Sequence, residues 1–200
     1  MHQISLDKIS ARTKVTLKQA SGFTLMEAII GCVVLSVLLV ASVPSLQDLF
    51  EKLKMRSLAN EVTNIVMMAK TEAVFKRHPV WLHFVQKTNS AIYQGGWVFS
   101  LQNNNATVDY TTSKHGAIYY LNGERFKNIS VFSTLNFHKI KFDQVHGKPM
   151  GVARSFTFYI DPARSLKVNL HNITGRVRVC GINIANQGNS DKYYYGYPEC

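Results

Sequence analysis

The residues with the most chemical potential are basic and stand late in the chain. Between Lys139 and Arg178 there are eight cations, Lys139, Lys141, Lys148, Arg154, Arg164, Lys167, Arg176 and Arg178, against only Asp143 and Asp161. The last two cations belong to the run Gly175-Arg176-Val177-Arg178, followed by Val179 and Cys180. In a strand, residues two apart share a face, so Arg176 and Arg178 project together while Val177 and Val179 turn toward a core. Two neighbouring guanidiniums suit successive phosphates, and a glycine beside them lets a backbone approach closely. Two readings compete. The pair can be a solvated edge strand whose charges block pairing with another sheet. The wider basic face can serve solubility alone.

Catalytic sets are missing from the sequence. His78, His83, His115, His138, His146 and His171 are scattered, with no pair at the spacing of a helical zinc site and no Cys-x-x-Cys. They read as surface or sheet histidines. There is no nucleophile elbow and no P-loop, and the glycines of Tyr93-Gln94-Gly95-Gly96-Trp97 lead into a strand rather than a helix. The expectation is a protein without catalytic residues, metal or cofactor.

A second chemically loaded residue is Glu27, just inside an apolar block. The twenty positions from Ala28 to Gln47 carry no charge, which is enough for one bilayer crossing as a helix. Before them, Lys8, Arg12, Lys14 and Lys18 stand against Asp7 alone, so the positive-inside rule places the leader in the cytoplasm and the rest of the chain outside. An unpaired carboxylate at the depth of Glu27 costs several kcal/mol, so it requires a cationic partner. The alternative is a secretory signal peptide cut near Val40-Ala41-Ser42. The long basic leader and Glu27 itself oppose it.

The run Gly22-Phe23-Thr24-Leu25-Met26-Glu27 ahead of an apolar helix resembles the processing site of type IV prepilins and type II secretion pseudopilins. That resemblance implies that a membrane aspartyl protease, the prepilin peptidase, cuts on the cytoplasmic side between Gly22 and Phe23, and that the new N-terminus is methylated. The α-amine of Phe23 then lies one helical turn from Glu27, within one subunit or between neighbours, and the two neutralise each other in the bilayer. In the family this pairing sets subunit register during filament assembly.

These residues need elements to hold them. With 200 residues, 46% apolar and 18% charged, the chain can bury a core and is neither disordered nor a multi-span membrane protein. A net charge of +11 favours an anionic partner such as nucleic acid, anionic lipid or a membrane face. Loss of the leader removes a net +3 and leaves +8. After Pro44, apolar residues from Leu46 to Ala73 recur at three- and four-residue spacings, which predicts one helix from Phe23 to about Arg77, kinked at Pro44 and stopped at His78-Pro79. Beyond it, short alternating runs predict strands near Val80–Gln86, Ala91–Leu101, Gly116–Leu121, Asn128–Phe132, Lys139–Asp143, Ser155–Ile160, Leu166–His171 and Arg176–Ile182. Asn103–Asn105 and Gln144–Met150 read as loops, and Asn186–Pro198 as an irregular tail. Cys32 reads as a packing residue in the membrane helix. Cys180 and Cys200, both outside in an oxidising compartment, are the two available to each other for a disulfide. Core packing beneath that disulfide is favoured over base stacking for Tyr193, Tyr194, Tyr195 and Tyr197.

Gly95-Gly96-Trp97-Val98-Phe99, Ser155-Phe156-Thr157-Phe158 and the late Gly-Arg-Val-Arg resemble the GspH/FimT group of minor pilins and pseudopilins. The expected architecture is therefore α+β and pilin-like. It comprises a leader (1–22), a membrane and assembly helix (23–47), its amphipathic continuation (48–78) and a β-rich head with a tail (79–200). Some members of the FimT branch bind DNA during natural transformation through arginines of a Gly-Arg-x-Arg element, which implies Arg176 and Arg178 here, with the other late cations around them. The implied partners are other pilins, the peptidase, the inner membrane before assembly, and DNA. The head would lie in the periplasm and then on a filament. The runner-up is a structural subunit that initiates or caps a pilus or a secretion pseudopilus and binds no ligand.

Overall fold

The computed structural model describes residues 22–87, 95–134, 137–185 and 193–200. Nearly all of the expected leader, Ala91–Gln94 of the second expected strand and the first part of the tail lie outside the described residues.

Helix α1 spans Leu25–Phe75, 51 residues, and continues through Pro44. Thr24 caps it: the Glu27 backbone N–H donates to Thr24 Oγ1 at 3.2 Å, so Thr24-x-x-Glu27 has the spacing of a capping box. Its first part, up to Ser45, is a unit of its own, apolar and exposed, and long enough to cross a membrane. The helix stops two residues before the expected Arg77. Arg77 adopts φ +50, His78 N–H donates to the Ala73 carbonyl at 3.2 Å, and Arg77 N–H donates to that of Val74 at 3.3 Å. That is a Schellman ending, with proline just beyond it.

Leu46–Cys200 form the second unit. Here α1 buries Met55, Leu58, Ala59, Val62, Ile65, Val66, Ala69 and Ala73, the stripe that its three- and four-residue spacing predicts. The strands are β1 (Val80–Gln86), β2 (Trp97–Gln102), β3 (Ala117–Asn122), β4 (Ser130–Ser133), β5 (Lys139–Phe142), β6 (Arg154–Asp161), β7 (Arg164–Leu170) and β8 (Val177–Ile182). They form two antiparallel four-stranded sheets, β3-β2-β1-β5 and β4-β6-β7-β8. Aromatic side chains join the sheets: Phe156 of β6 meets Phe99 of β2 edge-on at 4.7 Å between ring centroids, and meets Phe84 of β1 at 5.6 Å.

The end of the chain is more ordered than expected. Tyr193–Tyr194 (β9) and Tyr197–Pro198 (β10) pair as a small hairpin instead of running irregularly. Cys180 and Cys200 are bonded, Cys200 N–H donates to the Gly181 carbonyl, and Tyr194 and Tyr195 are buried. Gly181 is required at this point, because a Cβ there would come within 2.3 Å of the Tyr194 ring. The Tyr195 hydroxyl donates to Glu51 of α1, and its ring lies under the Arg164 guanidinium at 5.1 Å. Burial, with Glu51 beside it, drives the Tyr195 phenol well above its usual range. Tyr194 and Tyr195 are therefore core residues, as expected, and Tyr197 is half-buried, whereas Tyr193 is exposed, against that expectation; Tyr195 and Tyr197 also fasten the tail to the helix.

Candidate functional site

The candidate site is built around the hairpin from β7 to β8. His171 N–H donates to the Arg176 carbonyl and Gly175 N–H to the His171 carbonyl, both at 2.9 Å, so residues 172–175 form a closed turn. Closing it requires a left-handed backbone at Gly175, which has φ +65. Thr174 reinforces the turn, its hydroxyl accepting from Arg176 N–H at 3.3 Å and meeting His171 Nδ1 at 3.1 Å. The chain then leaves as β8, an edge strand of the second sheet.

Arg176 and Arg178 are both exposed, and Val177 and Val179 pack against the core, in the alternation the sequence predicts. Arg176 stands one residue before β8 rather than inside it, although its carbonyl holds the hairpin closed. Directly opposed residues of an antiparallel pair share a face. Arg178 opposes Asn169 and Cys180 opposes Lys167, so Lys167 lies on the face of Arg178, about 7–8 Å away along the diagonal.

Two further lysines converge on the turn. Lys70 of α1 donates from Nζ to the Gly175 carbonyl at 2.8 Å. A Cβ on Gly175 would meet Lys148 Cγ at 3.3 Å and Lys70 Cε at 3.7 Å. Lys148 reaches this place because the segment after β5 folds back, with Asp143 N–H on the Lys148 carbonyl and Gly147 against the Lys70 backbone. The Asp143 carboxyl is held below its usual range, chiefly by His146 N–H, and His146 Nδ1 lies 3.2 Å from it. Among the described residues, Lys70, Lys148, Arg176 and Arg178 form no ion pair, so their charge is available to an anion.

Of the other expected cations, Arg154 starts β6 opposite Leu170, at the hairpin's end of the sheet, while Lys139, Lys141 and Arg164 lie elsewhere. Lys139 and Lys141 are on β5, at the edge of the first sheet. Lys139 Nζ donates to Asn105 Oδ1 at 2.8 Å, and Lys141 lies 5.9 Å from the Trp81 ring. Arg154 packs over the Phe137 ring at 4.4 Å, where burial lowers its pKa, and Arg164 packs on Tyr195. The eight late cations are thus not one face. Arg176, Arg178 and Lys148 gather at the hairpin with Lys70, and Lys167 stands farther along β7 on the face of Arg178, while the aromatic contacts of Arg154 and Arg164 give them packing work. Lys70 is the residue that sequence reading missed, since it looks like any other polar position on an amphipathic helix.

The histidines fit the expectation of surface or sheet positions, His83 being the one within a strand. It is buried on β1, its Nε2 has no hydrogen-bond partner among the described residues, and burial lowers its pKa, partly offset by the Asn104 backbone. No cluster of three metal-ligating side chains occurs among the described residues.

No family model matches this chain, and no curated protein does. Among solved structures, the crystal structure of the Pseudomonas aeruginosa (strain PAO1) type IV minor pilin FimU in space group P21 aligns at a TM-score of 0.50 and 16% identity, over 64% of this chain and 90% of that one. The same protein in space group P65 aligns at 0.47 and 15%, over 62% and 90%. The P21 alignment shows that the chain has an α+β fold like that of this minor pilin, and its own structure supplies the long, apolar N-terminal helix followed by an antiparallel head.

Proposed function

We propose that this chain is a minor type IV pilin whose head captures DNA through Arg176 and Arg178. The leader ends at Gly22, and prepilin peptidase exposes Phe23, which is methylated. The helix then spans the inner membrane with the head in the periplasm until the subunit joins other pilins in a filament. Glu27 neutralises the Phe23 amine during that step. The reading assigns no enzymatic activity. DNA taken up this way would serve natural transformation.

The observation that carries the DNA reading is the convergence of exposed Arg176 and Arg178 with Lys70 and Lys148 at one closed turn, without a carboxylate partner among the described residues. Guanidiniums bind phosphate oxygens bidentately and lysines add point charge, so the turn suits a phosphate backbone with weak sequence preference. The test is DNA binding by the full chain in detergent across a salt series. Each phosphate contact on duplex DNA contributes a slope of about −0.9 in log affinity against log salt. Replacing both arginines with Gln should flatten that slope by up to about two units. Neutralising Lys139 and Lys141, which lie on the other sheet, should change it less. Equal losses from the two pairs would reduce the site to bulk charge.

One observation favours the structural reading. The exposed side of α1 in the second unit carries Leu46, Leu49, Phe50, Leu53, Met67, Met68 and Phe75. Such a surface suits helix packing in an assembly and needs no ligand. Absence of DNA binding by the wild-type chain at low salt selects this reading, a subunit that initiates or caps a pilus or a secretion pseudopilus.

A further inference from the structure

The hairpin that carries the arginines ends in an aliphatic side chain. Ile173 stands in the turn and is 71% exposed. Met150 and Val152, 48% and 56% exposed, flank Gly151 on a segment bound to the turn, where Asn172 Nδ2 donates to the Gly151 carbonyl at 2.7 Å. One exposed aliphatic residue is ordinary, but three on two joined turns form a patch. The patch cannot easily fold away. The turn is closed by the His171, Thr174, Gly175 and Arg176 hydrogen bonds and is tied to the helix through Lys70. A rigid aliphatic knob therefore projects where four cations gather.

We propose that Ile173, flanked by Met150 and Val152, is a wedge that enters a base step of duplex DNA held by Arg176 and Arg178. This rests on the DNA-binding reading above and adds the form of the substrate and what happens to it. Charge complementarity selects a polyanion. Unpaired bases stack on flat faces, which Ile173, Met150 and Val152 do not offer, and the guanidiniums of Arg176 and Arg178 are engaged with phosphates in this reading. Aliphatic side chains of this kind instead part base steps of a duplex and kink it by about 20–90°. The contacts with phosphates on either side keep the duplex from sliding off as the step opens. Pyrimidine–purine steps unstack most easily, so the inserted step should be TA or CA/TG, giving a shape preference without base-edge hydrogen bonds.

The test uses the full chain in detergent micelles and a duplex of about 30 base pairs with a donor and acceptor at its ends and 2-aminopurine beside a central TA step. Wild type should raise both end-to-end energy transfer and 2-aminopurine fluorescence. Ile173→Ala should lose both signals while affinity falls less than about tenfold, because the phosphate contacts persist. Ile173→Met should keep them. Arg176→Gln with Arg178→Gln should lose affinity itself. The exposure of Ile173 makes its variants fold as wild type, which thermal unfolding verifies. A wild-type complex with a straight duplex, or an Ile173→Ala complex bent as much as wild type, overturns the wedge and leaves the arginine reading standing. If phosphatidylglycerol in the micelle displaces the duplex from wild type but not from Ile173→Ala, the tip is a lipid contact and the wedge is overturned. Absence of any binding by wild type at low salt overturns both.

Discussion

Substituting Gly175 tests the geometry of the candidate site most directly. Its φ of +65 lies in the left-handed region, which costs an L-residue about 1–2 kcal/mol. Against this, Ala restricts the unfolded chain more than Gly and returns about 0.4–1 kcal/mol. The new Cβ would lie 3.3 Å from Lys148 Cγ, a flexible stem that can shift, and at ordinary contact distance from Lys70 Cε. Gly175→Ala should therefore lower stability by about 1 kcal/mol net. In a unit running from Leu46 to Cys200, that is a Tm shift of about 2–4 °C. Gly175→Asn should cost less, since Asn tolerates this region, and the β-branched Gly175→Val should cost more. Thermal unfolding by circular dichroism gives the order, and the salt dependence of DNA binding shows whether the arginines move with the turn. A valine variant as stable as wild type would refute the reasoning, because the glycine would then hold no conformation that other residues resist.

Cutting the Cys180–Cys200 bond with Cys200→Ser opens a loop of sequence separation 20 and should cost about 3 kcal/mol, measured as a Tm loss of about 6–12 °C. A loss under about 2 °C would mean that the tail holds without its bond. The lowered pKa of His83 makes stability pH-dependent: below its ordinary value of 6.5 the unfolded chain takes a proton that the buried ring resists, so stability should fall as pH drops from about 7 to 5. His83→Gln should flatten that dependence in urea unfolding, whereas the lowered carboxyl of Asp143 acts only at more acid pH, near and below 3.8. Glu27→Leu should leave insertion and cleavage intact but abolish stable filament incorporation, and normal incorporation would show that the amine needs no carboxylate. Gly22→Val should block cleavage, which intact-mass analysis checks: wild type should begin at methylated Phe23, and a start at Val43 would end the prepilin reading.

What the sequence made legible is what local spacing controls. The helix core stripe follows from apolar recurrence, and β1 has the predicted bounds, Val80–Gln86, because its apolar run is closed by the proline before it and polar residues after it. The common face of Arg176 and Arg178 follows from the two-residue period of a strand. The remainder depends on contacts between distant residues. Lys70 and Gly175 are 105 positions apart, and nothing local to either marks the hydrogen bond between them. Charge counting placed Arg154 and Arg164 with the other cations, whereas the rings of Phe137 and Tyr195, which engage them, enter from elsewhere in the chain. The tail read as irregular for a related reason. Its two-residue strands carry too short a pattern to detect, and the disulfide and Gly181 hold them in place.

The ties between α1 and the head have a mechanical consequence. Glu51 holds Tyr195, Lys54 donates to the Lys127 carbonyl, Asn60 accepts from Tyr197 and Glu61 from Tyr119, and Lys70 reaches Gly175. These anchor points are spread over about 28 Å of helix axis. A pull along the axis loads them together, in shear, so that several must rupture at once, whereas a sideways pull would peel them apart one after another. The head is therefore braced against tension running along its own helix, and most easily detached by force applied across it.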